Sequence, residues 1–167
     1  MSISEMLLPE FDSEIKKTRT VLERVPNQPD FAPHAKSMPL GKLASHVAQL
    51  AGFGMTILTT PELDFSKSSF KPLPFESAAQ LVQALDENAA KVRATLADAP
   101  DDLWKQNWKL LFQGKQIFSG NKFIAYREMF LNHLIHHRAQ LGVYLRLTGQ
   151  LVPATYGPSA DDTMGFS

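Results

Sequence analysis

The chain has 167 residues, 17 Lys plus Arg against 17 Asp plus Glu, 44% apolar residues and no cysteine. The balanced charge leaves no electrostatic footprint for nucleic acid or an anionic membrane and gives little self-repulsion against self-association. The missing cysteines exclude disulfides, thiolate metal sites and cysteine nucleophiles, so any bound metal must be held by His, Asp or Glu.

The length predicts one domain, residues 1–167, with a real core. Met1 to Phe11 lacks the basic start and apolar core of a signal peptide. No uncharged apolar run approaches the roughly 20 residues that span a bilayer. The expected location is cytoplasmic.

In chain order, Leu8, Phe11, Ile15, Thr18, Leu22 and Val25 recur at alternating threes and fours, which predicts a helix from Ser4 to Val25. Pro9 falls early, so either it occupies the first turn or the helix starts nearer Leu8. Pro26, Pro29, Pro33 and Pro39 make the next stretch a connector. A second helix is predicted from Pro39 to Leu58, capped by Ser37 or Met38, with Leu43, His46, Leu50, Phe53 and Ile57 on one stripe. Gly52 and Gly54 would let another backbone approach it closely. Thr59 to Glu76 reads as a second long connector, and Ser77-x-x-Gln80 as a capping box. The third helix, Ala78 to Ala97, carries the stripe Leu81, Val82, Leu85, Ala89, Val92 and Leu96. Asn107 to Ser119 breaks the helical period and reads as a small β-hairpin turning at Gln113-Gly114, packed on the helices. The fourth helix, Lys122 to Thr148, has Tyr126, Phe130, His133, His137, Leu141 and Tyr144 in line, with Gly149 as its stop. Val152 and Tyr156 are expected to pack the tail back onto the bundle. The predicted fold is an all-α four-helix bundle with long crossover connectors and a small hairpin before the last helix.

His133 and His137 are four apart, so on a helix they share one face one turn apart and can converge on a single point. His46 lies on the core-facing stripe of another helix and can enter the same space. Three neutral imidazoles suit zinc, nickel or ferrous iron and leave coordination positions open to water or substrate. The competing reading is three histidines hydrogen-bonded within the core. His136 points away from the pair and falls outside the candidate site. Asn132, Arg138 and Gln140 are open to two readings, orienting groups near the site or interhelical hydrogen bonds. Tyr126 and Tyr144 lie one or two turns away, with either a hydroxyl near the metal or a place in the core. Trp104 and Trp108 read as packing anchors, and Arg127 and Glu128 as solvated. No carboxylate pair with an obvious spacing lies near the histidines, and no Gly-rich phosphate loop or G-x-S-x-G motif is present.

The stretch Asn132-His133-Leu134-Ile135-His136-His137-Arg138-Ala139-Gln140-Leu141-Gly142 resembles the last-helix signature of the DinB-like (DinB/YfiT) superfamily. Leu40-Gly41-Lys42-Leu43-Ala44-Ser45-His46-Val47 resembles its second-helix motif, and Tyr156-Gly157-Pro158 its tails. Ala139 stands where the family often has glycine. The resemblance implies an up-down-down-up bundle, usually homodimeric, with a divalent metal on His46, His133 and His137. It also implies a possible activity: members with assigned reactions include transferases and isomerases that use a low-molecular-weight thiol. Two functions follow as expectations. One is a metal-dependent transferase acting on a small-molecule substrate through an activated thiol or water. The other is a non-catalytic, dimeric, stress-associated protein that binds a metal or small ligand.

Overall fold

The computed structural model describes residues 1–165. Helix α1 (Ile3–Leu22) starts in a complete capping box, with Ser2 accepting from the Glu5 N–H and the Glu5 side chain accepting from the Ser2 N–H. Pro9 lies inside α1, not in its first turn. Its ring is on the exposed side, so the carbonyl it leaves without a donor faces water. The buried face of α1 is Leu7, Phe11, Glu14, Thr18, Val21 and Leu22, with Leu8 and Ile15 only flanking it.

Helix α2 (Leu40–Thr59) has Pro39 at its cap and no side-chain cap. Connector carbonyls do that work: the Leu40 N–H donates to Phe31 O at 2.8 Å and the Gly41 N–H to Pro29 O at 2.9 Å. Helix α3 (Ala78–Ala97) buries the six predicted positions. Ser77 caps it, while the Gln80 side chain accepts from Glu76 N–H, one residue before the box position. A short α4 (Asp101–Lys105) follows.

The hairpin is present as β2 (Asn107–Phe112) and β3 (Lys115–Asn121), with Gln113 at φ 51° and Gly114 at φ 74° making the turn. It is extended by a third strand, β1 (Glu62–Asp64), taken from the second connector and paired parallel to β2. Trp108, fully buried, seats this sheet on the helices. The last helix runs over residues 122–147 in three parts: α5 (Lys122–Ala125), a π segment (Tyr126–Asn132) and α6 (His133–Leu147).

Cross-helix contacts fix the directions. Asp12 meets Arg93 and Arg19 meets Asp86, so α1 and α3 are antiparallel. Gly52 meets Asn88 and Gly54 meets Val92, so α2 and α3 run parallel. Lys122 meets Leu58 and His133 meets His46, so the last helix opposes α2. Phe11 meets Phe130 and Thr18 meets Arg138, so it runs with α1. The bundle is therefore up-down-down-up, with α2 between α3 and the last helix. The first connector stays at one end. The second must return along the length of the bundle, because the helices it joins are parallel, and it passes over the face where α2 meets the last helix.

Candidate metal centre

Helix α2 and the last helix approach closely because Gly54 has no side chain. A Cβ there would lie 2.9 Å from the Phe130 ring. Toward one end from this contact, α2 carries His46 and the last helix carries His133 and His137. The three rings come together: His46 Nε2 and His133 Nε2 are 3.4 Å apart, and His137 Nε2 and His133 Nε2 are 2.8 Å apart. One ligand nitrogen from each residue lies within 4.8 Å of the others, the sole such group of His, Asp or Glu among the described residues. Metal–nitrogen bonds of about 2.0–2.1 Å at tetrahedral or octahedral angles require nitrogens about 2.8–3.4 Å apart, so two of the three separations, 2.8 and 3.4 Å, already lie in that range.

The outer nitrogens are held. His133 Nδ1 faces the Met129 carbonyl at 3.3 Å, and His137 Nδ1 faces Gln140 Oε1 at 2.7 Å. With these oxygens accepting, each Nδ1 carries the proton, and in those tautomers each Nε2 presents a lone pair. In those tautomers the two lone pairs point at one place across 2.8 Å, where a cation would be held by both. Charging any ring with an added proton is disfavoured. Burial and the neighbouring imidazoles push His46 down to about 4. Burial likewise lowers His133 and His137, with the charge of neighbouring histidines adding to it, against smaller opposing effects of the Met129 and Gln140 hydrogen bonds. The donor set is neutral, convergent and oriented from behind, which is what a divalent ion requires.

A cavity of about 730 Å³ opens from the triad, with His46 and His133 in its wall. The second connector roofs it through Phe65, Ser68 and Phe70. A second cavity of about 400 Å³, between α6 and the tail, is lined by Arg138 and Tyr156 and by no triad histidine.

The other candidates separate cleanly. His136 is exposed. Gln140 orients His137, while Arg138, nearly fully buried, turns to α1. Trp104 and Trp108 are packing anchors, donating to Ser4 and Thr60. The Tyr144 hydroxyl donates to Met38 O at 2.9 Å. Tyr126 packs edge-on to Trp104 and Phe130, and among the described residues its buried hydroxyl has no partner. Neither tyrosine bonds a triad ring. Arg127, partly exposed, is ion-paired with Glu10.

The profile of the DinB family matches residues 1–164. The chain belongs to the DinB family. Its fold is similar to that of a DinB-like protein from Bacillus subtilis, at 17% identity over 87% of this chain and 93% of that one, with a TM-score of 0.66. A DinB-like protein from Bacillus cereus is similar at 21% identity over 91% and 97% of the two chains, also with a TM-score of 0.66. Comparison with curated proteins gives no match. No helix among the described residues is long and apolar enough to cross a membrane.

Proposed function

We propose that this DinB-family chain binds one divalent metal ion on His46, His133 and His137 and uses it as a transferase of the thiol-S-transferase type. The observation that carries the reading is the convergence of three histidine ring nitrogens, within 4.8 Å of one another, beside an open cavity. When bound, zinc, nickel or ferrous iron would lower the pKa of a thiol or water so that a nucleophile is available at neutral pH. The chain's own residues do the rest. Met129 O and Gln140 hold the ring orientations, and the cavity admits an electrophile to the His46 and His133 side. The chain supplies three ligands and no fourth from His, Asp or Glu among the described residues, which leaves room for the nucleophile.

The alternative, a dimeric protein that sequesters a metal without catalysis, needs no cavity, so the 730 Å³ space favours the enzyme. Homodimerisation belongs to either reading. Val143, Leu147 and Leu151 form an exposed apolar strip along and just beyond α6 that a second copy would cover. The test is reconstitution with each metal in turn, followed by a screen of small electrophiles with and without a low-molecular-weight thiol. Turnover that requires both metal and thiol, and disappears in His137→Ala, is the expected result. Equal turnover in metal-free His46→Ala protein overturns the proposal.

A further inference from the structure

Two carboxamides line the cavity beside the triad, and they are used differently. Gln49 is engaged at both ends: Nε2 donates to Lys71 O at 3.0 Å and Oε1 accepts from the Leu73 N–H at 2.9 Å. It pins the connector that roofs the cavity. Asn88, half-buried on α3, lines the same cavity, and among the described residues no hydrogen bond engages its side chain. Gly52 makes its seat, since a Cβ there would meet Asn88 Oδ1 at 3.3 Å and Cγ at 3.4 Å. The free amide therefore lies against the α2 backbone six residues on from His46, about 9 Å along the helix at 1.5 Å per residue.

The remaining wall is mostly apolar, with Leu50, Phe53, Leu63, Phe65, Leu110 and Met129. Phe53 and Phe65 are parallel to within 8°, and Trp108 stands edge-on behind Phe53. No carboxylate lines the cavity, and its one formal charge is Lys67, which is exposed at the rim. A cation would find no counter-charge here, and a polyanion would find too little. A flat apolar body would find two aromatic faces and one unpaired amide.

We propose that Asn88 is the specificity-determining residue of this cavity. The ligand is an uncharged or singly anionic, largely aromatic molecule that presents a carbonyl or amide group to Asn88 while its other end faces His46 and His133. This rests on the cavity being the substrate site of the metal centre proposed above.

The test is displacement of the aromatic monoanion 1-anilinonaphthalene-8-sulfonate, followed by fluorescence, from the full chain with and without zinc. The competitors are phenylacetamide, its hydrocarbon counterpart isobutylbenzene, and the cation phenethylamine. In Asn88→Leu, phenylacetamide should weaken about three- to tenfold, the range of one net hydrogen bond, while isobutylbenzene holds or tightens. Phenethylamine should compete poorly in the wild type. An unchanged phenylacetamide affinity, an equal loss for the hydrocarbon, or strong competition by the amine overturns the proposal. If circular dichroism shows Asn88→Leu unfolded, Asn88→Asp replaces it. That variant keeps the shape and adds a negative charge, so it should weaken the dye and admit the amine, and unchanged binding of both overturns the proposal. Failure to load zinc with the amide preference intact removes only the metal reading. Loss of the preference with zinc bound removes only this one.

Discussion

His137 and Arg138 are neighbours on α6, yet they belong to polar clusters of opposite kinds. Arg138 points to α1. Its guanidinium lies 2.6 Å from Glu14 Oε2 and donates to Glu14 O at 3.0 Å and to the Tyr156 hydroxyl at 2.9 Å. Tyr156 in turn donates to Glu14 Oε2 at 2.6 Å, and Lys17 donates to Oε1 at 2.9 Å. Burial alone would raise the Glu14 carboxyl, but the hydrogen bonds from Tyr156, Lys17 and Arg138 outweigh it and hold it below its ordinary value. There the one carboxylate is met by two cations and a hydroxyl. Around His137 the reverse holds, because three imidazoles converge and no carboxylate joins them. A polar cluster completed from within is architecture, here pinning the tail to the bundle. One built of convergent, uncharged donors is a candidate cation site.

Breaking the two clusters should therefore give different phenotypes. The largest effect is expected from His137→Ala, which should lower metal affinity, read by isothermal titration, by more than the roughly 100-fold typical of losing an outer partner. The stability of the metal-free protein should change little. Arg138→Met should do the opposite. Leaving Glu14 buried with only Lys17 as its cation should cost about 3 kcal/mol in urea unfolding, whether or not metal is added. Gln140→Leu sits between the two and should weaken metal binding about 10–100-fold at nearly unchanged fold stability. Tyr156→Phe, at a partly exposed site, should cost about 1 kcal/mol and loosen the tail, read by hydrogen exchange.

Acid should sharpen the contrast. The triad histidines have lowered folded values, so the folded state binds fewer protons than the unfolded chain. Their contribution is full above about pH 6.5, the unfolded value, and is lost as pH falls toward the His46 value of about 4. Metal binding should fail across the same window, because protons compete for the same lone pairs. Glu14 also has a lowered value, so its cluster holds its stability down to the ordinary carboxylate range and loses it only below that. Metal release followed against pH should thus precede unfolding. Simultaneous loss would erase the distinction.

The triad was legible in the sequence because its signal is periodic. His46 interrupts an apolar stripe, and His133 and His137 sit four apart on another. The α3 stripe was legible for the same reason, and so was the Gln113-Gly114 turn, where the left-handed backbone leaves little choice of residue. Charges buried by distant partners were not. Glu14 reads as the polar side of a helix until Arg138 and Tyr156, more than 120 positions away, are in place. Lys122 reads as a solvated first-turn lysine, yet it is buried with its Nζ donating to Leu58 O at 2.9 Å, where it caps the end of α2. Burial accordingly lowers its pKa. Strand β1 is three residues long and gains its partner only across the chain, so no local alternation marks it. The π segment has no residue signature either, although it brings the Met129 carbonyl against His133.

The most direct measurement is the metal content of the wild-type and His137→Ala proteins, by elemental analysis after purification without chelator. About one divalent ion per chain in the wild type and essentially none in a folded His137→Ala variant is the predicted result. A folded wild type that neither retains nor takes up zinc, nickel or ferrous iron, or a variant that holds as much metal as the wild type, would contradict it.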